Sequence, residues 1–261
     1  MIKINVLGYG QMGRQIASLL CLIGCEVTVW NRTTLDETIV FKQLKLISKF
    51  LNIPTKEQKI RTVISIDDLS KNSLTIETII EDINIKQKLF QKYKEGEVNG
   101  SYYTNTSSYS PAEIGDEVGG LHFFNPISLK LIEYCQPSVV TNNSIDNLLS
   151  LLREHQFQVI GVHPNRGYIA NSLLFREIAN VFAMIEQHKY SVEDIMSIHN
   201  AFNRNYNIFD IIDLVGIDTT YIILKNLKSQ DNSIYLPYVL EEAVNANILG
   251  KKNKTSIRQV F

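Results

Sequence analysis

The fold is decided by residues 3–13, which read Lys-Ile-Asn-Val-Leu-Gly-Tyr-Gly-Gln-Met-Gly. Strand-forming side chains fill residues 2–7, and the glycines follow at the spacing Gly-x-Gly-x-x-Gly. Apolar residues at helical spacing occupy residues 12–23, and the run Glu26–Trp30 predicts a second strand. Strand, glycine turn, helix and strand in this order predict a βαβ unit of the kind that binds a dinucleotide.

Each glycine of this turn has a physical task. Gly8 permits the tight turn, Gly10 lets the backbone approach a pyrophosphate, and Gly13 lets the helix pack closely on the strand. Gln11 and Met12 complete the predicted cofactor-binding turn. The helix then offers free N–H groups and the positive end of its dipole to the phosphates. The alternative is a glycine-rich turn without a ligand.

The end of the second strand bears on the choice of cofactor. A carboxylate at this point usually holds the ribose 2′-hydroxyl of NAD, but this chain has Asn31, Arg32 and Thr33. Without a carboxylate nothing repels a 2′-phosphate, and a guanidinium suits phosphate. The sequence therefore leaves NAD and NADP open and mildly favours NADP. In the alternative interpretation, Arg32 is a surface residue and Asn31 serves NAD.

Strand and helix patterns alternate through the first part of the chain, and the last part is helical throughout. Further strands are predicted at Val63–Ile66, Leu74–Ile76, Ser101–Thr104, Leu121–Phe124, Lys130–Cys135 and Gln156–Val162. Helices are predicted at 36–51, 82–94, 167–187, 191–203, 208–227 and 236–248. The pattern predicts an α/β fold. A Rossmann-like NAD(P)-binding domain with a doubly wound, mostly parallel sheet spans 1–164, and an all-helical C-terminal domain spans 165–261.

Composition excludes several classes of protein. The 261 residues carry 26 Lys and Arg against 27 Asp and Glu, so we expect neither a nucleic-acid nor a membrane partner. No apolar run approaches the roughly 18 residues of a membrane span, and no signal peptide is expected. The three cysteines, Cys21, Cys25 and Cys135, are too few and odd in number for a disulfide framework, and they favour a cytoplasmic location. No metal site is predicted.

Four motifs in the middle of the chain carry candidate chemistry: Thr104–Ser108, Leu121–Pro126, Lys130–Glu133 and Gly167–Asn171. In this order they resemble the L-3-hydroxyacyl-CoA dehydrogenase family. Further stretches that match the family's pattern are Glu77–Phe90, Asp213–Thr220 and Gly250–Lys252. The resemblance covers nearly the whole chain, and several motifs in the correct order make it specific.

Oxidation of a secondary alcohol needs a base for the hydroxyl proton. The imidazole of His122 is the candidate, with Glu133 as the carboxylate that orients the ring and stabilises its protonated form. Ser107 and Asn171 are candidate donors to the substrate oxygen, which gains charge when the carbonyl is reduced. The family resemblance implies the same four roles.

The resemblance also implies further cofactor contacts and an activity. Asn105 and Lys86 are expected near the cofactor, and Glu81 near its nicotinamide ribose. The implied reaction transfers a hydride between NAD(P) and C3 of a short 3-hydroxyacyl or 3-oxoacyl thioester, as in fatty acid metabolism. The thioester carrier is either CoA or a carrier protein. A free hydroxy acid is a further alternative, and a non-catalytic dinucleotide-binding protein is the least favoured one.

The chain departs from the family's pattern in places that bear on substrate choice. One residue fewer separates His122 from Glu133, so the hairpin between them must be tighter. The loop at 205–209 is altered, and the usual Gly-Phe-Tyr ending is missing. The apolar helices 167–187 and 208–227 predict a homodimer through the C-terminal domain, which is also expected to contribute to substrate binding.

Overall fold

The computed structural model describes residues 1–55, 59–96, 98–139, 145–202 and 206–261, in two compact units, Met1–Tyr168 and Ile169–Phe261. The strands of the first unit are β1 (Lys3–Leu7), β2 (Glu26–Trp30), β3 (Arg61–Val63), β4 (Leu74–Glu77), β5 (Tyr102–Thr104), β6 (Val118–Phe123), β7 (Leu131–Cys135) and β8 (Gln158–Gly161). Its helices are α1 (Gln11–Leu22), α2 (Glu37–Leu51), α3 (Ile83–Glu95), α4 (Pro111–Ile114) and α5 (Ile145–Glu154). The second unit contains α6 (Ala170–Glu186), α7 (Val192–Ala201), α8 (Ile208–Val215), α9 (Ile217–Gln230) and α10 (Tyr238–Asn245).

The described strands form one sheet in the order β3-β2-β1-β4-β5-β6-β7-β8. Neighbouring strands are parallel throughout, except that β6 and β7 are antiparallel. The predicted doubly wound, mostly parallel sheet is confirmed. The chain moves outward in one direction from β1 to β3 and in the other from β4 onward. The crevice between β1 and β4 is therefore the switch point at which such sheets bind ligands.

Periodic apolar residues build the core of the first unit. Ile4 and Val6 of β1 are fully buried, and Ile16 and Leu20 of α1 pack in the same cluster. Gly24 has φ +97°, a conformation that favours glycine, and it ends the turn that follows α1. This packing fixes the start of α1 directly beyond the end of β1, where the glycine turn lies.

The helical unit has its own core, and one predicted element in it is wrong. Phe175, Phe182 and Phe209 are almost fully buried there. The predicted helix 208–227 is two helices, because Gly216 between α8 and α9 has φ +102°. A helix cannot continue through that backbone conformation, so Gly216 ends α8 and begins α9.

Two helices of the first unit were missed by the sequence pattern. The short α4 begins at Pro111 after Ser110, and α5 buries Ile145, Leu148, Leu149 and Leu152 at helical spacing. The predicted strand Val63–Ile66 is also misplaced: β3 ends at Val63, and a 3₁₀ turn begins at Ile66 with the Ser65 side chain as its cap.

Two predictions for the second unit fall partly on residues that the structure does not describe. Residue 203, the predicted end of the 191–203 helix, and Asn205 of the altered loop lie outside the described residues. Within the described residues, no helix combines the length and apolar character needed to cross a membrane.

Candidate active site

The glycine turn after β1 has the geometry that close packing demands. Gly8 has φ +101°. A Cβ atom at Gly13 would lie 2.1 Å from the carbonyl oxygen of Gly8, which no side chain tolerates. The hydroxyl of Thr78 donates to the backbone oxygens of Leu7 (3.0 Å) and Gly8 (3.2 Å) and so holds the turn from the neighbouring strand end. The sequence analysis did not single out Thr78.

The start of α1 fits the pyrophosphate of a dinucleotide. A Cβ atom at Gly10 would meet no protein atom within 4 Å, so this part of the turn borders open space. Gly10 also supplies no side-chain cap, and the first turn of α1 contains no acidic residue. The first N–H groups of α1 and the positive end of its dipole therefore face that space. No carboxylate in the first turn of the helix competes with a phosphate for them.

The turn after β2 places the three residues that bear on cofactor choice. The side-chain amide of Asn31 donates to the backbone oxygen of Thr33 (3.0 Å) and to its hydroxyl (3.2 Å). The Arg32 side chain is exposed. A cavity of about 400 Å³ lies at the ends of β2 and β3 and is lined by Thr33, Thr34, Leu35, Arg61, Thr62, Val63, Ile64 and Asp68. Arg61, the first residue of β3, thus brings a second guanidinium to this cavity, and the sequence analysis missed it.

His122 and Glu133 form a hydrogen-bonded pair. They are direct partners in the antiparallel β6–β7 ladder, where opposite residues point to the same face. His122 Nδ1 lies 3.1 Å from Glu133 Oε2, and the side chains are 12 % and 2 % exposed. The connection between them contains a 3₁₀ turn at Ile127–Leu129 followed by Lys130 at φ +52°.

Aromatic rings flank the imidazole of His122. The ring of Phe124 has its centroid 4.6 Å from that of His122, and the ring of Tyr168 lies at 5.9 Å. A Cβ atom at Gly120 would lie 2.2 Å from the Tyr168 hydroxyl oxygen, so this close approach requires glycine. The rings limit the water around one end of the pair, which strengthens the interaction between imidazole and carboxylate.

The turn after β5, residues 104–108, carries Asn105 and Ser107. The Asn105 amide N–H donates to the Glu77 backbone oxygen (2.8 Å), and Asn105 Oδ1 accepts from the amide of Phe123 (2.9 Å), the neighbour of His122. Ser107 is 8 % exposed, and its backbone oxygen accepts from the Gly167 amide at 2.6 Å. The turn is therefore tied to both β4 and β6.

Lys86 lies between two carboxylates. Its Nζ is 2.8 Å from Glu77 Oε1 and 3.1 Å from Glu81 Oε2, and the side chain is 1 % exposed. Burial lowers the pKa of Lys86, but attraction to the two carboxylates outweighs burial and the net shift is upward. The ammonium is therefore charged at neutral pH and contacts both carboxylates. Contact of Lys86 with a cofactor stays a prediction.

The first unit brings most of the predicted residues to one edge of the sheet. The glycine turn follows β1, Glu81 follows β4, Asn105 and Ser107 follow β5, and His122 lies near the end of β6. Asn171 belongs to the helical unit, where it is the second residue of α6 and partly buried. Glu77 and Thr104, which the sequence analysis did not select, are also at this edge. The sequence signal for Glu77 is a carboxylate that ends a short apolar strand.

A dinucleotide-binding turn at the switch point and an imidazole–carboxylate pair on the same sheet are features of a dinucleotide-dependent oxidoreductase. The family model described as 3-hydroxyacyl-CoA dehydrogenase, NAD binding domain, matches residues 3–165. The model for the C-terminal domain of 3-hydroxyacyl-CoA dehydrogenase matches residues 167–259. The chain belongs to the 3-hydroxyacyl-CoA dehydrogenase family, as the motifs of the sequence indicated.

Relatives match along nearly the full chain. A 3-hydroxybutyryl-CoA dehydrogenase of Clostridioides difficile is 28 % identical, with 97 % of each chain covered. The human mitochondrial hydroxyacyl-coenzyme A dehydrogenase is 26 % identical, with 95 % of this chain and 88 % of the relative covered. Among solved structures, Mycobacterium tuberculosis FadB2 gives a TM-score of 0.83 at 25 % identity, with 97 % of both chains covered. The (S)-3-hydroxybutyryl-CoA dehydrogenase of Ralstonia eutropha has the same fold, with a TM-score of 0.83 at 22 % identity over 98 % of this chain and 97 % of that one.

Proposed function

We propose that the protein transfers a hydride between a nicotinamide dinucleotide and C3 of a short 3-hydroxyacyl or 3-oxoacyl thioester. The observation that carries the proposal is the pair of His122 and Glu133, 3.1 Å apart, on the sheet whose switch point bears the glycine turn. The family supplies the reaction class, and the pair supplies a group for the proton that the reaction must move.

His122 acts as the general acid and base. In the oxidation direction its Nε2 takes the hydroxyl proton; a nicotinamide held at the glycine turn would accept the hydride. Glu133, at Nδ1, holds the ring in one tautomer and stabilises the imidazolium that forms. Ser107 donates to the substrate oxygen, whose charge grows during the transfer, and Asn171 keeps its predicted role as a second donor.

The proposal also includes the residues that bind the cofactor. Gly8, Gly10 and Gly13, with Gln11 and Met12, form the pyrophosphate turn, and the open space at Gly10 supports that assignment. Asn105 and Glu81 lie at the next strand ends along the edge. Lys86 forms an ion pair with Glu81 and is therefore placed near the cofactor in this proposal.

We propose a preference for NADP. No carboxylate stands at Asn31, Arg32 is exposed in the same turn, and Arg61 lines the cavity with Thr33. Asp68 also lines this cavity, but the guanidinium of Arg61 in the lining and that of Arg32 in the neighbouring turn suit a 2′-phosphate. Arg32→Ala lowers kcat/KM for NADPH about tenfold and leaves NADH unaffected, as expected for one lost phosphate contact. Equal kcat/KM values for NADPH and NADH in the unchanged protein contradict the preference.

The test of the reaction uses acetoacetyl-CoA with NADPH and NADH in parallel and follows the loss of cofactor absorbance. Turnover with either cofactor supports the proposal. His122→Ala is expected to abolish turnover and to leave cofactor affinity nearly intact, because the imidazole moves the proton and does not hold the dinucleotide. Full activity in His122→Ala refutes the role of His122. Cofactor binding without turnover across a broad panel of thioesters and free hydroxy acids favours the non-catalytic alternative.

A carrier-protein thioester is the second candidate substrate, and the outer face of α2 is the observation that favours it. This face exposes large apolar and basic side chains together: Ile39, Phe41, Leu46, Phe50, Lys42, Lys45 and Lys49. A cationic, apolar helix face suits an acidic protein surface. One acyl group is compared on CoA, on a carrier protein and on pantetheine. If the carrier docks here, Lys42→Glu lowers kcat/KM about tenfold for the carrier thioester and spares the pantetheine thioester.

The helical unit is proposed as the substrate and dimerisation domain of a cytoplasmic enzyme. Leu173, Met184, Ile198 and Phe202 are exposed apolar residues that line one cavity of about 790 Å³ in this unit. Large exposed apolar patches favour association, and two-fold symmetry is the commonest solution. Light scattering at micromolar concentration is expected to give twice the chain mass, and a monomeric mass refutes the dimer.

The three buried thiols are free, as suits a reducing compartment.

A further inference from the structure

A ring of five polar side chains lies at the same edge of the sheet as the candidate site. Its members are Glu77, Thr104, Thr106, Glu81 and Lys86. Within the ring, the Thr104 hydroxyl donates to Glu77 Oε2 (2.7 Å), and the Thr106 amide donates to Thr104 Oγ1 (3.2 Å). The Thr106 hydroxyl donates to Glu81, and Lys86 closes the ring between the two carboxylates.

Burial raises the pKa of Glu77, and hydrogen bonds from three donors oppose that rise. Its Oε1 accepts from the Ile79 amide (2.6 Å) and from Lys86 (2.8 Å), and its Oε2 accepts from Thr104. Each hydroxyl donates once toward a carboxylate and accepts once from a backbone N–H. Glu77 and Thr104 are fully buried, and they are partners in the parallel β4–β5 register. Glu81 is 37 % exposed, but the other four side chains are buried, and a broken contact among those four leaves a buried polar group unpaired.

The ring holds the residues on both sides of Ser107. Thr106 is a member, and the amide of Ser108 donates to the Thr106 hydroxyl at 3.1 Å. Asn105, one residue earlier, donates its amide to the backbone oxygen of Glu77 at 2.8 Å. The turn that carries Asn105 and Ser107 is therefore held at three points: by the Glu77 carboxylate through Thr104, by the Glu77 backbone oxygen through Asn105, and by Glu81 through Thr106.

We propose that Glu77 is a positioning residue, which acts through Thr104 to fix the turn that presents Ser107 and Asn105. The inference rests on the proposed dehydrogenase function. Because Ser107 serves the oxygen whose charge grows in the transition state, a loosened turn lowers kcat and leaves binding of the thioester nearly unchanged.

Three threonine variants of the full chain separate an effect on the position of the 104–108 turn from an effect on the stability of the protein. Thr104→Val removes the hydroxyl but keeps the shape, and Thr104→Ser restores the hydroxyl. Thr75→Val is the matched control: Thr75 lies on β4, is fully buried, and accepts from the Asn5 side chain (3.2 Å) away from the ring. Thr104→Val is expected to lower kcat about 10-fold to 100-fold with little change in KM, the range that follows from a small misplacement of a reacting group.

Thr104→Ser is expected to recover most of kcat, whereas Thr75→Val lowers the melting temperature without lowering kcat. Glu77→Gln is expected to lower kcat in the same direction as Thr104→Val. The inference is overturned if Thr104→Val retains the kcat of the unchanged protein, or if Thr75→Val loses as much kcat as Thr104→Val does.

A readout without turnover keeps the inference apart from the proposed function. Hydrogen exchange, followed by mass spectrometry on peptides that span residues 104–108, is expected to accelerate in Thr104→Val and Glu77→Gln and not in Thr75→Val. If the unchanged protein turns over no thioester, the proposed function fails, and exchange alone then decides the anchoring. Unaltered exchange in both ring variants overturns it.

Discussion

Replacement of Glu133 by glutamine tests the centre of the proposed mechanism. Glu133 is 2 % exposed and lies 3.1 Å from His122 Nδ1. Glu133→Gln keeps the shape and the possibility of a hydrogen bond but removes the charge that faces the imidazolium. A role for Glu133 in stabilising that cation therefore appears as a loss of kcat and not as a loss of folding.

The size of the effect follows from the distance. Opposite unit charges 3.1 Å apart attract by about 5 kcal/mol at an effective dielectric constant of 20. The glutamine dipole retains part of this attraction, so the expected loss is about 2–4 kcal/mol in the transition state. Each 1.36 kcal/mol is tenfold in rate, so kcat is expected to fall about 30-fold to 1,000-fold.

The assay is steady-state reduction of acetoacetyl-CoA, with cofactor affinity measured separately by nucleotide fluorescence. Glu117→Gln is the matched control, since Glu117 forms a surface ion pair with Lys94 (2.9 Å) that contributes little. Its kcat is expected to equal that of the unchanged protein. A Glu133→Gln enzyme with a kcat within about threefold of the unchanged protein would refute the electrostatic argument.

Three further predictions concern backbone space and pH. Gly13→Ala places a methyl group 2.1 Å from the Gly8 oxygen. Thermal unfolding is expected to show a loss of about 1–3 kcal/mol in stability, and cofactor titration is expected to show weaker binding. Unchanged stability and cofactor affinity contradict the close packing. Gly216→Ala forces an L-residue to φ +102°, and calorimetry is expected to show lower stability, while an unchanged melting temperature argues against the break between α8 and α9. Hydrogen bonds from Arg166 lower the pKa of Glu113, so this pair stabilises the fold above the ordinary glutamate pKa and loses its contribution as pH falls through the lowered value. The stability difference between the unchanged protein and Arg166→Gln is therefore expected at neutral pH and absent in strong acid, and a difference that persists in acid contradicts the ion pair.

Local patterns predicted much of the fold. The βαβ unit at residues 2–30 was predictable because strand, glycine turn and helix each leave a short-range signal, and the structure has β1, α1 and β2 there. The helix α5 was missed although its apolar residues keep helical spacing, since it is short and follows a polar stretch. The predicted helix 208–227 failed at Gly216, where helical spacing continues on both sides and only the backbone conformation shows the break.

The candidate site, too, was predicted in part by the sequence and decided in part by the tertiary structure. The sequence by itself determined the family and the glycine turn, and it gave His122 and Glu133 as the candidate pair, because motifs preserve residue types at fixed spacing. Only the tertiary structure decided that the β6–β7 register sets those two side chains 3.1 Å apart despite the shorter hairpin. It alone also decided that Lys86 and Thr104, from different elements, both contact Glu77. Hydrogen bonds depend on positions within fractions of an ångström, and these are fixed by the packing of strands that no local pattern records.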